Sequence, residues 1–97
     1  MSGVPYKLTA TGFAFSSPCV LESILITATV DALDVTIYDA NALVGATPGV
    51  PSGTRELGRF LVGAGSSDSF YLCATVKKGV YVKVNTGSSP LIYCYIP

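Results

Sequence analysis

Apolar residues recur at every second position along most of this chain, and no stretch carries the three-to-four-residue spacing of a helix. Leu33, Val35 and Ile37 alternate with Asp34, Thr36 and Tyr38. Val80, Val82 and Val84 alternate with Tyr81, Lys83 and Asn85, and Ile92, Cys94 and Ile96 with Tyr93 and Tyr95. Successive side chains of a strand point to opposite faces, so this pattern dictates sheets with one buried and one open face. Clusters of Gly, Ser and Pro punctuate the pattern at the spacing of a small all-β domain. The expected strands cover 6–15, 19–30, 33–39, 57–62, 69–75, 80–85 and 91–97. In the first, Leu8 and Ala10 hold one parity and Phe13 and Phe15 the other, which predicts a bulge at Gly12. In the second, Ile24, Ile26, Ala28 and Val30 are placed on one face with Ser23, Leu25, Thr27 and Thr29 opposite. About seven strands in 97 residues fit an all-β fold, a small antiparallel β-sandwich or a jelly-roll-like barrel.

A chain of this length supports one core and hence a single domain, with 1–18 as N-terminal arm and first strand and 19–97 as the sandwich. The loop 40–55, with three Gly and two Pro, is long for a compact domain. Such loops are either binding or assembly segments or plain surface crossovers. Six basic residues balance six acidic ones, and charged residues make up 12% of the chain, about half the usual share. Without net positive charge, the phosphate contacts of nucleic-acid binding have no basis. The halves differ: 1–54 holds Lys7 against Glu22, Asp31, Asp34 and Asp39, whereas 55–97 holds Arg55, Arg59, Lys77, Lys78 and Lys83 against Glu56 and Asp68. Either the fold separates these charges onto two faces, which favours ring-like self-association, or strand mixing averages them away.

Three cysteines, Cys19, Cys73 and Cys94, form neither a disulfide framework nor a zinc motif, although a Cys73–Cys94 bridge is possible if their strands pair. The first fifteen residues lack a secretory pattern, and the apolar stretches are too short to span a membrane. We therefore expect free thiols and synthesis in a reducing cytoplasm.

The absence of histidine removes the Ser-His-Asp triad, the Cys-His pair and imidazole metal ligands. The carboxylates are not paired in sequence as glycoside hydrolysis requires, and the glycines at 63 and 65 precede a strand, where a phosphate loop precedes a helix. Asp31, Asp34 and Asp39 fit a solvated acidic edge better than a calcium loop, and such charges protect a strand from pairing with another chain. We expect no catalysis and no cofactor. The informative feature is the outward parity of the last three strands, which carries Tyr71, Tyr81, Tyr93 and Tyr95 with Lys83 among them. Tyrosine offers a large rigid contact area with a polar tip, so this parity marks a candidate interface. Cross-strand pairs that merely stabilise an exposed sheet are the other reading. If the parity is inverted, three valines face water instead and call for the same explanation.

The order VLESILITAT, VTIYDANALVG, a Gly-rich loop, LGRFLVGAGSSDSFYL and KKGVYVKVNTGSSPLIYCYIP resembles small β-sandwich virion proteins of tailed bacteriophages, in particular head-decoration or cement proteins. The resemblance covers 19–97, and its markers are the strand around Tyr38 and Asp39, the GVYVKV strand, GSSP and the closing LIYCYI. It implies a homo-oligomer, typically a trimer, that binds the major capsid protein on the outside of the assembled head. It also implies assembly in the host cytoplasm, with an N-terminal arm free to reach another subunit. The contacts would fall on Tyr71, Tyr81, Lys83, Tyr93 and Tyr95, and on Leu43, Val44 and Val50 of the long loop. A carbohydrate-binding or host-attachment module and a neck or tail subunit are the competing readings.

Overall fold

A computed structural model describes residues 3–42 and 54–97. Eight strands account for most of these: β1 (Val4–Leu8), β2 (Gly12–Phe15), β3 (Cys19–Ala28), β4 (Leu33–Asp39), β5 (Arg55–Val62), β6 (Ser67–Val76), β7 (Val80–Thr86) and β8 (Pro90–Ile96). They form two four-stranded antiparallel sheets, β1-β8-β3-β6 and β2-β7-β4-β5. The fold is therefore all-β and sandwich-like. The pairs β1·β8, β2·β7, β3·β6 and β4·β5 all occur. This is the pattern of one long four-tier hairpin wrapped so that alternate tiers fall in opposite sheets.

That wrapping corrects the expected first strand. Residues 6–15 do not form one bulged strand; the chain leaves β1 after Leu8 and enters the other sheet at Gly12. The parity change read as a bulge at Gly12 marks this crossing. A register shift does occur one step later, between Phe13 and Phe15. Phe13 consequently lies opposite Tyr81 on the outer face, and Phe15 lies opposite Val80 on the inner one. Val30 is also corrected: it follows the end of β3 and is 60% exposed.

The core lies between the sheets and draws on the expected inward residues, including Ile24, Ile26, Val35, Ile37, Val82 and Ile92. Each buried aliphatic side chain contributes about 1.5–3 kcal/mol. The two open sides are closed by aromatic pairs between edge strands. Tyr6 of β1 meets Phe15 of β2 edge-on at 5.4 Å, and Phe60 of β5 meets Phe70 of β6 at 4.6 Å.

One corner is fastened electrostatically. Asp39, at the end of β4, is 5% exposed and accepts hydrogen bonds from the backbone N–H groups of Lys77, Lys78 and Gly79 in the β6–β7 turn. Arg55 donates to the same carboxylate at 3.2 Å and to the Thr75 carbonyl. Burial works against the Asp39 charge, but the three N–H groups and Arg55 outweigh it and hold the carboxyl below its ordinary value. The expectation of a solvated acidic edge is thus overturned for Asp34 and Asp39. Their strand is interior to its sheet, and both are buried. The charge difference between the sequence halves resolves into Asp39–Arg55 and Asp34–Arg59 pairs across β4 and β5.

Candidate functional site

The two outer faces of the sandwich differ in how completely their side chains satisfy one another. On the β2-β7-β4-β5 face, Tyr81 is flanked by its register partners Phe13 and Tyr38, with ring centroids 4.9 and 6.4 Å away. These neighbours leave Tyr81 only 2% exposed, and burial followed by the nearby Tyr38 pushes its phenol up. Beyond them Asp34 accepts from both Arg59 and Asn85, and Asn85 also donates to Thr36. The Arg59 hydrogen bonds, which outweigh the cost of burial, together with Asn85 hold the Asp34 carboxyl below its ordinary range.

The β1-β8-β3-β6 face is different. Its cross-strand rows are Pro5, Tyr95, Ser23 and Tyr71, and then Lys7, Tyr93, Leu25 and Ser69. Tyr93 and Tyr95 are half-buried and Tyr71 is 71% exposed; none of the three joins a ring pair among the described residues. Apart from Lys7, these two rows carry no formal charge.

The predicted tyrosine cluster is therefore split. The alternation is as expected, with the valines of β7 in the core, but β7 belongs to the opposite sheet from β6 and β8. Tyr71, Tyr93 and Tyr95 share one face. Tyr81 and Lys83 lie on the other, where Tyr81 is buried and Lys83 exposed. Parity within a strand does not reveal which sheet the strand joins. Leu43, Val44 and Val50 lie outside the described residues.

Where β3 and β6 meet, the register slips between Leu21 and Ser23, and Cys73 takes a φ of 50°. The slip leaves a shallow groove lined by Glu22, Ser23, Ser69, Phe70 and Tyr71. Ser23 is 5% exposed, and its hydroxyl has no hydrogen-bond partner among the described residues. The Cys73 thiol, which bonds the Tyr71 hydroxyl, followed by burial and the nearby Glu22 carboxylate, pushes the Tyr71 phenol up. Sequence reasoning did not single out Ser23 and Glu22. The only signal was a polar pair interrupting the apolar run CVLESILI.

The cysteines are free, and the Cys73–Cys94 bridge is excluded by strand order because β3 separates β6 from β8. Cys94 is buried and its thiol is pushed up to about 12, first by burial and then by Cys19. A thiol reagent at neutral pH is therefore expected to modify exposed Cys73 at once and Cys94 only as fast as the whole domain opens. Mass spectrometry of the labelled chain reads the order, and fast labelling of Cys94 would contradict this packing.

Among the described residues, no three His, Cys, Asp or Glu side chains cluster as a metal site would require. No protein-family model, curated protein or solved structure matches the chain.

Proposed function

We propose that this protein is a structural subunit of a tailed-phage virion, a decoration or cement protein that binds the assembled head and stabilises it through subunit contacts. The observation that carries this reading is the contrast between its two outer faces. One satisfies most of its aromatic and polar side chains internally, with Leu61 left exposed on the edge strand β5. The other presents Tyr71, Tyr93 and Tyr95 with Leu25 in two rows whose one charge is Lys7, and Glu22 lies beside Tyr71. Such a surface is a liability on an isolated chain and an asset on a subunit covered by neighbours. The strand order supports it, since two four-stranded sheets formed by a wrapped hairpin are the jelly-roll arrangement that recurs in viral capsid domains. The resemblance of 19–97 to phage head proteins supports it from the sequence side.

In this reading the protein is a homotrimer in the virion, made in the host cytoplasm, and its partner is the major capsid protein. Its action is thermodynamic. A protein that binds only the assembled lattice stabilises that lattice by mass action. Tyr93 and Tyr95 of β8 form the centre of the contact between the copies of the trimer, and the trimer is the species that binds the shell. Replacing both by alanine is expected to weaken co-sedimentation with shells of the cognate capsid protein by at least about 30-fold, since central aromatic contacts are worth about 1–2 kcal/mol or more each. Undiminished shell binding by the double variant would remove this assignment.

A further inference from the structure

We propose that the groove between β3 and β6 is a binding site for a neutral sugar residue, with the Tyr71 ring as stacking platform and Glu22, Ser23 and Ser69 as polar contacts. This goes beyond the capsid role and does not depend on it, and it assigns Tyr71, on the edge strand β6, to the sugar and not to the subunit contact.

The groove is a built feature of the sheet. The register slip between Leu21 and Ser23 opens the ladder at this point, and Cys73 takes a left-handed conformation to accommodate it. Such interruptions are over-represented at sheet edges and beside binding sites, where they re-aim a side chain or end pairing. Ser23 supplies the second, independent observation. Ser23 lines the groove, and its hydroxyl is withdrawn from bulk water and has no partner among the described residues. Buried hydroxyls are ordinarily hydrogen-bonded, so an orphan beside a groove identifies the chemistry that is missing. A ligand hydroxyl at the floor of the groove is both donor and acceptor, and provides it.

The other linings narrow the class. Tyr71 is the most exposed of the large apolar or aromatic side chains described and is the cross-strand partner of Ser23, so an accessible ring stands beside Ser23. Among the described residues, Glu22 is the only charged one lining the groove. One carboxylate disfavours an anionic ligand and falls short of the several oxygens a metal ion needs. A purely apolar ligand leaves Ser23 unsatisfied and desolvates Glu22. A pyranose matches all three demands: its C–H face lies on an aromatic ring, and its hydroxyls pair with a carboxylate and with serines. Tyr71 stands two strands from β8, roughly 10 Å across the sheet. The groove itself adjoins the Tyr93 and Tyr95 surface, because Ser23 is the cross-strand partner of Tyr95, and Tyr71 lies on its far side on the edge strand β6.

The test is an amide-resolved NMR titration of the full chain with glucose, galactose, mannose and N-acetylglucosamine, with sialic acid as the anionic comparison. The expected result is saturable movement of the amides of 22–23 and 69–73 by at least one neutral sugar, with millimolar affinity. Sialic acid is expected to produce none. Tyr71→Ala and Ser23→Ala are each expected to weaken binding at least about tenfold, whereas Tyr93→Ala leaves it unchanged. The proposal is overturned if no neutral sugar moves these amides, or if the movement survives Tyr71→Ala. It is also overturned if sugars have no effect and Tyr71→Ala instead weakens shell binding, which makes Tyr71 a protein contact. Loss of the sugar result leaves shell co-sedimentation unaffected, so the two readings fail separately.

Discussion

Asp39→Ala is expected to destabilise the domain by about 3 kcal/mol, read as a lowered urea midpoint with little change in slope. The carboxylate accepts from Lys77, Lys78 and Gly79 at 3.0, 2.8 and 3.3 Å and from Arg55. Hydrogen bonds to a charged acceptor are worth about 1.5–3 kcal/mol each. Water reaches the N–H groups of exposed Lys77 and Lys78 once the carboxylate is gone, which keeps the total below the sum of the parts. Gly79 is buried and keeps no such recourse. Asp39→Asn, which retains an acceptor oxygen without the charge, is expected to lose less. The acid limb of stability follows from the same contacts. Because the folded carboxyl lies below its ordinary value, the contribution is complete above the unfolded aspartate pKa of about 4 and is lost as pH falls through the lowered folded value. Asp39→Ala therefore falls less steeply in acid than the parent chain, and an unchanged acid slope would show that the corner carries no linkage.

Gly79→Ala is the second large effect, expected to cost at least about 2 kcal/mol. A Cβ at this position falls 2.7 Å from the Phe15 carbonyl oxygen and 2.9 Å from that of Ala40. Both obstacles are backbone, one at the end of β2 and one just after β4, so no rotamer change relieves them. Separation is blocked as well, because the Ala40 N–H donates to the Gly79 carbonyl at 3.0 Å. Asp39 and Gly79 hold the same turn, so the double variant is expected to lose clearly less than the two single losses combined. Strict additivity in a double-mutant cycle would mean that the turn does not act as one unit.

Much of the architecture is legible in the alternation, since Leu33, Val35 and Ile37, then Val80 and Val82, then Ile92 and Ile96 all reach the core as their parity requires. Parity is local, however, and sheet membership is a long-range property. Nothing within the β7 segment VYVKVNT says that it joins the sheet opposite β6 and β8, and Tyr81 was grouped with Tyr71, Tyr93 and Tyr95 for that reason. The same limit made one strand of residues 6–15. A bulge and a change of sheet produce the same parity shift, and only pairing with β8 and β7 separates them. Asp34 and Asp39 read as solvent-facing because charge is normally exposed. Their burial depends on Arg59, Arg55 and a turn 38 to 40 residues away, none of which is adjacent in sequence. Ser23 was invisible for a related reason, because an unsatisfied hydroxyl is defined by neighbours that only the fold supplies.

The contrast between the faces carries the functional argument. Phe13, Tyr81 and Tyr38 cover one another, and Asp34, Arg59, Asn85 and Thr36 consume one another's hydrogen bonds. Beyond Lys83, that face leaves exposed Glu56, Arg59 and Leu61 among the register partners on the edge strand β5, and Arg59 is already paired with Asp34. On the other face the tyrosines are spaced across β8 and β6 without mutual ring contacts, and Lys7 is the only charge in their two rows. The balance of six basic and six acidic residues leaves no net field to keep copies apart.

The measurement that tests the central claim most directly is the solution mass of the purified chain by light scattering across a range of concentration, with Tyr93→Ala/Tyr95→Ala beside it. The account predicts a stable species of about three times the 10.0 kDa chain mass. It predicts a monomer for the double variant with its urea unfolding transition intact. A parent chain that stays monomeric at every concentration, or a double variant that keeps the trimer, would contradict the claim that this face makes the subunit contacts.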